Sequence, residues 1–147
     1  MFRMVPYKSN HHLTDARVVV NAAFIAMEGD KQVYQFYELK LERSRIDTLS
    51  MNWTVVHPIN EESPLWNFTQ EEMRSADLEL YVQVTGFDHI FSNVVMQRTS
   101  YTFEEIVWDA KFDPMYQESS ENATTIIQLN KLNDYKRVSL PKKSFKL

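Results

Sequence analysis

A chain of 147 residues, 44% hydrophobic and 13% aromatic, is long enough for one globular core and too apolar to be a disordered chain. Its net charge of −4 argues against a nucleic-acid surface and leaves cations or proteins as partners. It has no cysteine, which excludes a disulfide framework and a thiolate metal site and fits a reducing compartment.

Met1 to Tyr7 reads as a short strand ended near Pro6. His11-His12 looks like a metal pair, but neighbours in an extended segment point to opposite faces, so a solvated turn is the expected state. Leu13 to Met27 is rich in β-branched residues, Glu28-Gly29-Asp30 is a turn, and Gln32 to Leu41 alternates, which together predict a long hairpin. Val18 to Met27 is the longest apolar run and is broken, well short of the roughly 20 residues that cross a bilayer, so the chain by itself is expected to be soluble. Glu42 to Ser50 reads as a charged connector.

Trp53 to Pro58 is an apolar run stopped by His57-Pro58, and Ser63-Pro64-Leu65 begins a connector. Thr69 and Glu72 have the spacing of a capping box for a short helix from Gln70 to about Ser75. Leu78, Leu80, Val82 and Val84 alternate with polar residues up to Gly86, where the strand is expected to stop. Because the chain has only two glycines, Gly86 implies a positive φ or a close backbone approach. A loop over Gly86 to Asn93 and a strand over Asn93 to Tyr101 follow.

Thr102 and Glu105 repeat the capping spacing, and Ile106-Val107-Trp108 is expected to be a strand. Glu118 to Asn122 is a polar loop, Thr124 to Leu129 a strand, a short segment runs to Val138, and Pro141 to Lys146 is a basic tail. The N-x-T sequons at Asn52, Asn67 and Asn122 lack a secretory signal and are read as chance matches. These elements predict a single all-β domain over residues 1–147, an immunoglobulin-like β-sandwich with one or two short helical turns and without the Cys-Trp-Cys signature.

Several words of the sequence stand together: M-F-R at Met1 to Arg3, H-P-I-N-E-E-S-P-L at His57 to Leu65, the glycine loop from Gly86, R-T-S-Y at Arg98 to Tyr101, E-E-I-V-W at Glu104 to Trp108 and L-N-K-L-N at Leu129 to Asn133. In this order they resemble the cytoplasmic domain of inwardly rectifying potassium channels, more closely the bacterial branch, across nearly the whole chain. The resemblance implies a homotetramer around a pore axis, potassium as permeant ion with no cofactor, attachment to the inner membrane through transmembrane segments that this chain lacks, and a regulatory lipid or cytosolic ligand. Arg3 and Lys8 would lie near the membrane, although two cations fall short of the usual lipid-binding cluster of about four to eight.

By the same resemblance Gly86, Phe87, Asp88, His89, Ile90, Phe91, Ser92 and Asn93 form a constriction at the top of the cytoplasmic pore, with Phe87, Ile90 and Phe91 as an apolar collar and Asp88 as a ring of charge. An ordinary hairpin loop with its aromatics folded back is the alternative. Arg98 would support the loop by pairing with Asp88, or else is a surface arginine. Glu42 and Asp47 would face the pore, or belong to a solvated loop in which Arg43 and Arg45 offset them. Thr85 is neutral where strongly rectifying relatives tend to carry a carboxylate, which implies weak polyamine block.

No G-x-S-x-G elbow, phosphate-cradling loop or H-E-x-x-H pair occurs, and the doublets Glu61-Glu62 and Glu104-Glu105 diverge when extended, so an enzyme and a metal site are not expected. The alternative to a channel domain is a free-standing β-sandwich that binds a protein partner.

Overall fold

The computed structural model describes residues 1–8, 10–119 and 124–139. The fold is all-β, 51% strand and 9% helix, with the antiparallel sheets of a β-sandwich. The chain divides into two compact units, Met1–Ile106 and Val107–Leu147.

In the first unit the organising strand is β2 (Leu13–Glu28). Its residues Ala16, Val18, Val20, Ala22 and Phe24 are buried, as alternation on a half-buried strand requires. One edge of β2 pairs with β6 (Glu79–Asp88), which pairs with β7 (Asn93–Thr102). The other edge is shared: β3 (Lys31–Glu38) takes Asn21 to Glu28, and β4 (Arg45–Leu49) takes Leu13 to Arg17. The expected β2–β3 hairpin closes through Gly29 at φ 63, a conformation that glycine adopts freely. The connector expected over Glu42 to Ser50 is corrected, because Arg45–Leu49 is a strand. Long-range pairing with β2 overrides the mixed charge of that stretch.

Between β3 and β4 the chain leaves β2 after Leu39, whose N–H reaches Val20 O at 2.8 Å, and Ser44 O accepts from Val18 N at 2.8 Å where the chain returns. In between, Glu42 N donates to Val56 O at 2.9 Å, just past β5 (Trp53–Val55). β5 pairs with β1 (Phe2–Met4) in a second, two-stranded sheet. His57 fastens this excursion: Nδ1 lies 2.7 Å from Lys40 O and Nε2 2.7 Å from Ser63 Oγ. A carbonyl only accepts, so Nδ1 carries the proton, and the Ser63 hydroxyl donates to Nε2 while its oxygen accepts from Leu65 N at 3.1 Å.

The helix α1 (Gln70–Ser75) has the expected capping box: Glu72 N donates to Thr69 Oγ1, and Glu72 Oε2 accepts from Thr69 N at 2.7 Å. Its far end is closed by Leu78 N to Met73 O and Asp77 N to Arg74 O, with Asp77 at φ 52 in place of the usual glycine. Met73 and Leu78 are buried beside that turn.

After β7 a 3₁₀ turn (Phe103–Glu105) is capped by Glu105, whose carboxylate accepts from Thr102 N at 2.8 Å. The strand expected at Ile106-Val107-Trp108 is corrected: these residues lie in no strand, and pairing resumes only after Asp109, which sits at φ 50.

In the second unit β8 (Ala110–Phe112) pairs with β11 (Tyr135–Arg137), and β9 (Tyr116–Ser119) with β10 (Thr124–Ile127). The strand expected to reach Leu129 ends at Ile127, because Leu129–Lys131 forms a 3₁₀ turn. Ser120 to Asn122 of the polar loop, and the basic tail from Pro141 to Lys146, lie outside the described residues.

Replacing His57 with alanine strips the Ser63 hydroxyl and the Lys40 carbonyl of their partner. The expected loss is about 1–3 kcal/mol, read from urea unfolding; an unchanged midpoint would remove His57 from this fastening role.

Candidate functional site

The expected loop from Gly86 to Asn93 is a hairpin whose strands run further than anticipated. β6 continues through Gly86 and Phe87 to Asp88, Asn93 already opens β7, and Asp88 pairs with Asn93. Only His89, Ile90, Phe91 and Ser92 lie in the turn, with Ser92 at φ 48.

The strand does not stop at Gly86 because the glycine is not there to reverse the chain. Its φ is not positive. A Cβ on it would come within 3.1 Å of Leu13 Cβ and 3.4 Å of Thr14 O. β6 therefore lies hard against β2 beside an irregularity in β2, where the register shifts between Thr14 and Arg17 and Asp15 sits at φ 49.

Asp88 holds the turn. Its Oδ1 accepts from Ile90 N at 2.8 Å and Phe91 N at 3.1 Å, a side-chain mimic of a backbone turn. Only 5% of the residue is exposed. Burial works to raise its carboxyl pKa, but the Phe91 and Ile90 N–H groups, then His11 and His89, outweigh it and hold the pKa below the ordinary 3.8. His11 Nδ1 stands 3.7 Å from Asp88 Oδ2, and the His11 ring meets Phe91 edge-on with centroids 5.8 Å apart. His89 Nε2 lies 3.3 Å from Thr14 Oγ1, and its ring is edge-on to Phe87 at 5.1 Å.

The His11-His12 pair is thus no solvated turn: both residues are partly buried, and His11 reaches across to the hairpin. Of the three expected collar residues, Phe87 is partly buried in β6, whereas Ile90 and Phe91 are 59% and 67% exposed at the turn.

The expected pairing of Arg98 with Asp88 is corrected within the chain. Arg98 lies opposite Gln83 and its Nε donates to Gln83 Oε1 at 3.0 Å. Gln83 and Asp88 are five strand positions apart, roughly 17 Å at about 3.4 Å per residue. Glu42 and Asp47 are both exposed, Glu42 in the excursion towards Val56 and Asp47 within β4.

One charged cluster has no counterpart in the sequence reading. Asp15 accepts from Arg45 Nε at 2.6 Å and from Arg17 Nη2 at 3.2 Å, and the Arg17 hydrogen bond leads the effects that lower its pKa. T-D-A-R offered a two-residue spacing for Asp15 and Arg17, but Arg45 arrives only through the β2–β4 register. Among the described residues, no group of three or more His, Asp or Glu side chains is placed to hold a metal ion, and no helix is long and apolar enough to cross a membrane.

A family model described as the inward rectifier potassium channel C-terminal domain matches residues 1–147. The inward rectifier potassium channel Kirbac3.1 of Paramagnetospirillum magnetotacticum is 36% identical over 99 residues, covering 67% of this chain and 33% of that protein. The human inward rectifier potassium channel 4 is 36% identical over 67 residues, covering 45% of this chain and 15% of the relative. The chicken ATP-sensitive inward rectifier potassium channel 12 is 30% identical over 69 residues, covering 46% and 16%. The chain spans a third or less of the length of these relatives.

Replacing Gly86 with alanine forces β2 and β6 apart at Leu13 and is expected to cost about 1–3 kcal/mol in chemical unfolding. Tolerance without loss would mean that the approach relaxes freely. The lowered Asp88 pKa gives a sign as well: its contribution to stability is complete above the unfolded value and is lost as pH falls through the folded one. The stability gap between the natural chain and Asp88→Asn should therefore shrink as the pH drops below about 4, measured by thermal melts across pH.

Proposed function

The chain belongs to the family of inward rectifier potassium channel C-terminal domains, and on that premise we propose that it is the cytoplasmic gating and permeation domain of a tetrameric potassium channel. Four copies surround the pore axis and continue the ion path beyond the membrane. The β6–β7 hairpins converge there, and Ile90 and Phe91 form the constriction.

The carrying observation is the turn at His89 to Ser92, which turns two large apolar side chains outward while a buried carboxylate fixes its backbone. A wet surface loop gains nothing from such exposure. A ring of such tips around an axis closes a pore by excluding water. Phe87, packed against His89 within the hairpin, supports the tip rather than lining it. The domain works by ion conduction and its coupling to a stimulus, a regulatory lipid or a cytosolic ligand, and carries out no chemistry on a substrate.

Thr85 is neutral at the position where strongly rectifying relatives tend to carry a carboxylate, so polyamine block and rectification are weak.

Fractionation of source cells with an antibody to this domain separates the channel from a free-standing module. A channel places the band in the membrane fraction well above 17.4 kDa; a soluble band at that mass would overturn the proposal. In the full-length channel, replacing Ile90 and Phe91 together with serine should raise basal potassium flux several-fold in a liposome assay. Unchanged flux would exclude this constriction.

A further inference from the structure

The outer face of the five-stranded sheet, away from the buried side of β2, carries large aromatic side chains in the open. Across β3, β2 and β6 the register sets Phe36 beside Ala23 and Ala23 beside Glu79; in the next row it sets Glu38 beside Asn21 and Asn21 beside Tyr81. Alternate residues of a strand share a face, so Phe36, Glu38, Glu79 and Tyr81 stand at the corners of a square. The rings occupy one diagonal and the carboxylates the other. The rings meet over the middle strand, with centroids 6.0 Å apart, and Ala23 beneath them is fully buried. Even so, Phe36 is 62% exposed and Tyr81 40%, and Tyr34, two positions back along β3, is 56% exposed.

An open aromatic patch of this kind marks an interaction surface, and its charge selects the partner. The Tyr81 hydroxyl donates to Glu79 Oε2 at 2.7 Å, which holds a carboxylate at the edge of the ring. The Tyr34 hydroxyl does the same towards Asp77 Oδ2 at 3.4 Å. Arg98, the cation one row away on β7, already donates to Gln83 at 3.0 Å. The patch thus presents ring faces bordered by negative charge.

The same combination is filled elsewhere in this unit. The Arg74 guanidinium sits 5.1 Å from the centre of the Phe103 ring, its Nε 3.1 Å from Glu104 Oε1, and its Nη2 donates to Oε2 at 3.3 Å. A ring with a carboxylate beside it is therefore what this fold uses to hold an arginine. On the outer face of the sheet the ring and the carboxylate are present and the arginine is not supplied by the strand neighbours. We propose that this face binds an arginine side chain presented by a partner protein, with the guanidinium stacked on Phe36 and Tyr81 and bonded to the Glu79 carboxylate. A flat sheet offers a platform rather than a cage, which suits a planar guanidinium better than a lysine ammonium: the plane lies on the rings while its N–H groups stay directed at the carboxylate.

The inference concerns a different face from the β6–β7 turn and goes beyond the channel reading. Its probes are a capped pentapeptide carrying two arginines and the same peptide with lysines, each titrated into the isotope-labelled chain and followed by nuclear magnetic resonance. The arginine peptide should shift the Tyr81 and Phe36 ring signals and the Ala23 amide saturably, and bind at least about threefold tighter than the lysine peptide. Phe36→Ala, at an exposed position, should weaken the arginine peptide about threefold or more, and Glu79→Gln by a similar factor. Equal binding of the two peptides overturns the proposal, as do shifts that fail to saturate or binding that both variants leave unchanged. Shifts at Phe36 and Tyr81 that grow with protein concentration alone would give the face to a second copy of the chain and overturn it too. Should Glu79→Gln fail to fold, Phe36→Ala and the peptide comparison decide. A failed titration leaves the channel reading standing, and a channel reading that fails on fractionation or flux leaves this titration unchanged.

Discussion

The structure depends on how one strand shares out its two edges. β2 is 16 residues long and cannot be served by a single partner on each side. β3 and β4 divide one edge and β6 takes the other. Because β3 and β4 lie end to end, the chain must leave the sheet between them, and it makes its next backbone–backbone hydrogen bond at Val56, beside the small β1–β5 sheet. A single strand thereby dictates both the five-stranded sheet and the point where the chain crosses to the second one. The His57 fastening belongs to that crossing.

Crowding of β6 against β2 places the hairpin. Where β2 slips register at Asp15, the approach tightens until a Cβ at residue 86 would stand 3.1 Å from Leu13 Cβ. Two positions on, Asp88 is itself buried and collects the N–H groups of its own turn. The same irregularity gathers Asp15, Arg17 and Arg45 on the opposite strand pair.

Short-range features were legible in the sequence. Thr69 and Glu72 declare the start of α1 because every atom involved lies within four residues, and Leu78 to Val84 declare a strand because burial imposes a period of two. The family resemblance, too, was carried by short words. Features set by register were not legible. Arg45–Leu49 has no alternation that marks it as a strand, and only β2 makes it one. The resemblance matches Arg98 to an acid of the hairpin turn, for which Asp88 is the nearest substitute, yet antiparallel pairing carries it to Gln83. For Gly86 the two physical reasons for a glycine were both on the table, and only the neighbouring backbone could choose between them. His11 lay 77 positions from its partner, beyond the reach of any local pattern.

The pairing of β2 with β6 also bears on how the molecule assembles. The β2–β3 and β6–β7 hairpins close over short turns, so each forms at small entropic cost. Joining them brings together residues as far apart as Thr14 and His89, a separation of 75. Contacts of such high order come late, because the intervening chain must first be ordered. Gly86 and the His11–Asp88 contact both lie at this seam, so the turn acquires its native setting only when two separately formed halves of the sheet have met.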